Sequence, residues 1–191
     1  MLIKNTIENF INLLASESPT PGGGSVAGLA NVLSAALLHM FCQISIKTAT
    51  DEEKELFSKL TAELKEIIEK SKILIDEDAA AFDAVMTAFK LPKQTESEKE
   101  VRKQQIQNAL FKAAEVPLEN MKISVALIEI AEEINERGNK NAISDYRSAI
   151  YMAKAAYQCA KENVLINIES IKDEGKKQTI FDELKKIELK T

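Results

Sequence analysis

Three acids in succession, Asp76, Glu77 and Asp78, stand in the run Ile-Asp-Glu-Asp-Ala-Ala-Ala-Phe. Helical spacing separates them. Asp78 shares a face with Leu74, Ile75, Phe82 and Val85, so its carboxylate points into an apolar setting. A carboxylate there needs a partner, a helix end or an arginine, or it shifts its pKa and becomes available for acid/base work. Asp76 shares a face with Lys72 and Asp83 and, like Glu77, reads as solvated surface. Asp145 has a setting similar to that of Asp78: it lies near a helix start, where the dipole favours negative charge, and its face continues through Ala149 and Met152. It reads equally as a stabilising first-turn acid or as a second functional carboxylate. Asn163 and Asn167 lie one turn apart among Val164, Leu165, Ile166 and Ile168, and buried amides must be bonded by backbone or by a ligand. His39 is the only histidine, a general base by chemistry or a packed residue by context. No Ser or Cys arrangement nearby suggests a nucleophile triad.

The elements that must position these groups read helical almost throughout, without period-two alternation. A first helix covers about Thr6 to Leu14, with Ile3, Ile7, Phe10, Ile11 and Leu14 on one stripe. Then comes Ser18-Pro-Thr-Pro-Gly-Gly-Gly-Ser25, which holds half of the six glycines. Two readings of it stand side by side. It is a hinge with Ser25 as N-cap, or a cradle whose exposed N–H groups face an anionic or carbonyl group. The second helix, about Ser25 to Lys47, is apolar nearly all round and rich in small residues, so it belongs at the centre of the fold. A third opens at Asp51 as N-cap and runs to about Lys90, before Pro92. Thr95 and Glu98 form a capping box for the next, which Pro117 breaks or kinks near Val116 and which Gly138-Asn139 ends. Another runs from about Ala142 to Lys172, Gly175 ends it, and a short amphipathic helix closes the chain. The expectation is one all-α domain over residues 1–191: a single-domain bundle of long antiparallel helices around a buried small-residue second helix.

Composition narrows the function. The chain has 191 residues and a net charge of −5, which argues against non-specific nucleic-acid binding. Cys42 and Cys159 lie in apolar stretches and read as reduced buried thiols of a cytoplasmic protein. One histidine and no Cys pair at ligand spacing give no metal site. Met1 to Phe10 has no apolar signal core. Val26 to Ile46 is long enough to test as a membrane span, but Asn31, Ser34, His39, Gln43 and Ser45 favour a buried helix of a bundle or dimer.

In order along the chain, Ser18-Pro-Thr-Pro-Gly-Gly-Gly-Ser-Val-Ala27, Asp76-Glu-Asp-Ala-Ala-Ala-Phe82, Lys90-Leu-Pro-Lys93 with Glu98-Lys99 and Arg102, Val116-Pro-Leu118, Gly138-Asn139 with Ser144-Asp145, and Asn163-Val-Leu-Ile-Asn167 together resemble the cyclodeaminase/cyclohydrolase family of folate one-carbon enzymes. The resemblance covers nearly the whole chain. It implies an all-helical homodimer acting on formimino- or methenyl-tetrahydrofolate, with no metal and no cofactor beyond that substrate. Both reactions are acid/base chemistry at one carbon between two nitrogens. Carried over residue by residue, the resemblance makes Asp78 and Asp145 the acid/base or pterin-binding carboxylates. It makes Gly22, Gly23, Gly24 and Ser25 a ligand-holding loop or lid. Lys90, Lys93 and Arg102 suit an anionic glutamate tail, and Ser144, Asn163 and Asn167 are polar contacts. Two stretches depart from the family pattern. Ile46 to Asp51 replaces a basic Gly-Lys-Lys-type stretch, leaving Lys47, and Tyr146-Arg147-Ser148 stands where small residues are usual. They motivate an alternative: a non-catalytic folate-binding or protein-interaction helical dimer.

Overall fold

A helix apolar on nearly every side has to be wrapped by others, and this requirement sets the architecture of the computed structural model, which describes residues 1–187. Six α-helices follow one another: α1 (Ile7–Leu14), α2 (Gly23–Ser45), α3 (Asp51–Phe89), α4 (Glu96–Ile134), α5 (Ile143–Ser170) and α6 (Glu174–Lys186), with single 3-10 turns before α1 and before α5. The central helix, α2, packs chiefly against α3 and α5 and more lightly against α4. Residues 188–191 lie outside the described chain.

Small residues let this happen. Ala27, Ala30 and Ala35 of α2 and Ala149, Ala153, Ala156 and Ala160 of α5 are all buried, so the two backbones approach closely. The core has two halves. One gathers Leu38, Phe41, Phe57, Leu64, Leu127 and Tyr146. The other gathers Val85, Ile106, Leu110, Met121, Tyr157 and Val164. A buried polar layer separates them along α2 and α4: Asn31 donates to the Asn120 carbonyl (2.9 Å), Ser124 donates to Asn31 Oδ1 (2.9 Å), and Asn120 donates to the Gly24 carbonyl (3.5 Å). Satisfied in this way, the amides fix the register of α2 against α4. α2 is also long and apolar enough to cross a membrane, yet more than half of that span is buried inside the bundle.

The helix boundaries correct several expectations. Thr50, not Asp51, caps α3, because Thr50 and Glu53 close a capping box and Asp51 falls in the first turn. The Thr95–Glu98 box opens α4 as expected. That helix runs through Pro117 to Ile134, its Val116, Pro117 and Leu118 all buried against the bundle. It stops at Asn135, which takes the left-handed conformation (φ 47), three residues before the expected Gly138. Ser25 lies inside the first turn of α2, which Gly22 caps without a side-chain bond. α5 ends at Ser170, and Gly175 belongs to the first turn of α6. Of the α1 stripe only Phe10 is buried; Ile7 is 81% and Ile11 55% exposed, so this helix turns an apolar face away from the bundle.

Gly138 sits in the loop before α5 at φ 116, where a side chain is strained and a Cβ would collide with Ser45 Oγ. That hydroxyl accepts the Asn139 N–H at 3.0 Å. Gly138→Ala is expected to destabilise the fold by about 1–3 kcal/mol, read as a lower thermal midpoint; an unchanged midpoint would contradict the strain.

Candidate functional site

The start of α2, the C-terminal half of α3, the N-terminal half of α4 and the end of α5 meet at one end of the bundle around a cavity of about 790 Å³. That is a volume suited to a small organic ligand. At its inner end stands Asp78. The Ser25 hydroxyl lies within donor range of the Asp78 carboxylate at 2.9 Å and of the Ile75 carbonyl at 3.1 Å. Asp78 thus brings a negative charge from α3 to the first turn of α2, whose cap Gly22 has no side chain to offer. Burial raises its pKa above the ordinary aspartate range, and the Ser25 bonds oppose that rise only in part.

The glycines are steric necessities here. A Cβ on Gly24 would overlap Asp78 Oδ1, and one on Gly23 would come within 2.7 Å of Asn163 Nδ2. Both the hinge and the cradle readings of the loop therefore change: Gly23 and Gly24 are helical residues over which an acid and an amide close. Asn163 donates to the Cys159 carbonyl and Asn167 to the Ala113 carbonyl, each at 2.8 Å, and both line the cavity with Asp78.

The wall is apolar, with Phe82, Val85, Met86 and Phe89 of α3 facing Ile106 and Leu110 of α4. Phe82, Val85 and Phe89 continue the helical stripe that begins at Asp78. Arg102, Lys103 and Lys172 make the mouth cationic. Arg102 is held in place: its Nη2 and Nε donate to the Phe89 carbonyl at 3.0 and 3.3 Å, and its guanidinium lies 5.8 Å from the Phe89 ring centre. Gln107 Oε1 accepts the Lys172 and Asp173 N–H groups at 2.6 and 3.2 Å, fixing the turn that carries Lys172. An acceptor-lined end, flat apolar walls and a basic mouth suit a planar ring with a donor edge and an anionic tail.

The structure thus gathers Gly22, Gly23, Asp78, Arg102, Asn163 and Asn167 at one cavity, with Gly24 and Ser25 directly behind Asp78. It does not bring the other candidates there. Lys90 and Lys93 are exposed beyond the end of α3 and do not line it. Ser144 and Asp145 begin α5, with Asp145 in the first turn. The 18 residues from Asp145 to Asn163 correspond to about 27 Å of helix, so Asp78 and Asp145 do not pair within one chain. The two departing stretches also lie at that far end. Tyr146 is buried and donates to the Ala131 carbonyl (2.7 Å), Arg147 pairs with Glu136 (3.0 Å), and Lys47 is exposed.

Asp76 is not free surface: it accepts the Leu2 N–H and lies 3.8 Å from the N-terminal ammonium. His39 is half-buried in the middle of α2, away from the cavity, and burial, then Lys65, lower its pKa. Burial pushes the Cys42 thiol up to about 12, so it is unreactive. Among the described residues no group of three or more His, Cys, Asp or Glu side chains could hold a metal ion. Lys103, Gln107 and Lys172 were not legible as site residues, because only the meeting of α4 with the α5–α6 turn makes them neighbours.

Residues 6–186 match the family model for formiminotransferase-cyclodeaminase. The chain is 40% identical over 175 residues to a methenyltetrahydrofolate cyclohydrolase of Methylorubrum extorquens, covering 88% of this chain and 81% of that protein. It is 30% identical over 174 residues to the formimidoyltransferase-cyclodeaminase of Mus musculus, covering 91% of this chain but only 32% of that longer protein. Its fold matches the crystal structure of formiminotetrahydrofolate cyclodeaminase from Thermotoga maritima with a TM-score of 0.86 and 30% identity, over 97% of this chain and 89% of the other.

Gly24→Ala is expected to push the Asp78 carboxylate off Ser25 while leaving the helical content intact. In a ligand-binding or activity assay it should weaken function by at least about tenfold. A Gly24→Ala protein with full function would show that the close approach is not needed.

Proposed function

Because the chain belongs to the formiminotransferase-cyclodeaminase family, we propose that it is a one-carbon folate enzyme and that its reaction is the hydrolysis of methenyltetrahydrofolate. The observation that carries the reading is Asp78, a carboxylate with a raised pKa at the inner end of an apolar cavity whose mouth is basic. The choice of hydrolysis rests on the 40% identical cyclohydrolase, most of whose length the chain covers.

In this reading the pterin lies between Phe82, Phe89 and the α4 wall, with its donor edge toward the Asn163 and Asn167 oxygens and its methenyl carbon toward Asp78. The glutamate tail reaches Arg102, Lys103 and Lys172. The methenyl carbon is an electrophile between two nitrogens. A water oxygen bonds to it as Asp78 accepts one water proton, giving a tetrahedral carbon. One carbon–nitrogen bond then breaks, the pair returns to that nitrogen, and the hydroxyl becomes the carbonyl of a formyl group. The departing nitrogen takes up the hydroxyl proton, directly or by way of solvent, and Asp78 gives the first water proton to solvent, so the ring opens and the carboxylate is restored. Asp78 is the one candidate carboxylate assigned to the proton transfer, since Asp145 lies at the far end of the chain's own bundle.

Cyclodeamination is the second reading, favoured by the close match to the Thermotoga maritima cyclodeaminase. The enzyme is assigned to the cytoplasm. A homodimer is the proposed assembly. The exposed face of α1, with Ile7 and Ile11, and exposed Leu33 and Met40 on α2 support it, because such apolar surface is costly in water. Sedimentation is expected to give twice the chain mass; a monomer at micromolar concentration would rule this assembly out.

The test of activity is loss of the near-ultraviolet absorbance of methenyltetrahydrofolate, measured beside ammonia release from formiminotetrahydrofolate. Accelerated loss supports hydrolysis, and ammonia release supports deamination. Folate binding seen by calorimetry with neither reaction would identify a non-catalytic binder. Since Asp78 must be ionised to accept a proton and its pKa is raised, kcat/KM should climb with pH through a range above that of ordinary aspartates and then level off. Asp78→Asn should remove that limb and lower kcat by about 100-fold or more.

A further inference from the structure

Pro117 lies within α4 and has no N–H to give the carbonyl four residues before it, which belongs to Ala113. That carbonyl is not orphaned. Asn167, 54 residues away on α5, donates its Nδ2 to it at 2.8 Å. Ala113 and Asn167 both line the cavity. A carbonyl can only accept, so this bond decides which way round the amide sits: nitrogen on Ala113, oxygen left as the acceptor the side chain offers. Asn163, one turn earlier, is anchored differently, on the Cys159 carbonyl of its own helix.

We infer that Pro117 is a positioning residue for the cavity: by leaving the Ala113 carbonyl without its helical donor, it captures the Asn167 amide and sets Asn167 Oδ1 as a fixed acceptor for a bound ring. The ligand rests on the folate reading above; the coupling between Pro117 and Asn167 does not. The bond joins α4 to α5 at the cavity, as the bond from Tyr146 to the Ala131 carbonyl joins them at the other end of α5.

Pro117→Ala returns an N–H to position 117, which reclaims the Ala113 carbonyl and releases the amide. The dissociation constant for methenyltetrahydrofolate is then expected to rise about three- to tenfold, with the thermal midpoint unchanged or higher. In an Asn167→Ala background the same replacement should change that constant by less than about twofold. Equal effects in both backgrounds, no effect of Asn167→Ala itself, or loss of helical content in Pro117→Ala would each overturn the inference. A second measurement needs no folate. Asn167→Asp sets carboxylate oxygens against the Ala113 carbonyl and should lower the thermal midpoint in the Pro117 protein but far less in Pro117→Ala. An equal drop in both overturns the coupling. If the unaltered protein binds no folate, the functional reading falls while this cycle still decides the role of Pro117.

Discussion

The contact between Asp78 and the first turn of α2 holds the site together. An α-helix that begins with glycines brings no side chain to satisfy its first N–H groups, and its positive end is unscreened. A carboxylate from α3 brings the negative charge to that end and meets the Ser25 hydroxyl. The geometry leaves no room for a side chain at position 24 and little at 23, where Asn163 closes in from α5. Three helices are thereby drawn to one point, and the cavity is the space that remains in front of it. Because the acid is desolvated yet held by donors, it is poised closer to neutrality than a surface aspartate, which is what proton transfer near neutral pH asks of a group.

The rest of the bundle keeps that point in place. Small residues on α2 and α5 permit close backbone packing, and the Asn31–Ser124–Asn120 layer ties α2 to α4 by directional bonds that a slip of register would break. Two capping boxes define where the 39-residue helices α3 and α4 begin. Arg102 braces the end of α3 through the Phe89 carbonyl, and Gln107 braces the turn after α5. The mouth of the cavity is thus held by bonds between elements, as its inner end is.

Much of this was legible along the chain. The Asp78 stripe runs at helical spacing through Phe82 and Val85, and the same stripe lines the cavity. The Thr95–Glu98 box and the buried second helix follow from local pattern. The boundaries that differed share a physical cause. Asn135 could end α4 because it tolerates left-handed backbone, a property that glycine at 138 shares, so composition alone does not choose between them. Ser25 looks like a cap by type, but with an acid arriving from α3 the helix starts two residues earlier. The exposed stripe of α1 shows the reverse: a pattern that implies burial without saying against what.

By itself the sequence determined the class of fold, the membership of the family and the inward-facing acid, since periodicity, caps and an ordered set of motifs are properties of neighbouring residues. Which candidates share a site was decided only by tertiary structure. Asp145 and Asn163 lie on one helix and look alike as polar residues in apolar runs. Yet 18 residues of rigid rise separate them, and only the antiparallel packing of α5 on α2 sets Asn163 beside the glycines and leaves Asp145 at the other end. Lys172 and Gln107, 65 residues apart, became neighbours in the same way. A side chain's type is local, but its partners depend on how helices of fixed pitch and length are folded back on one another.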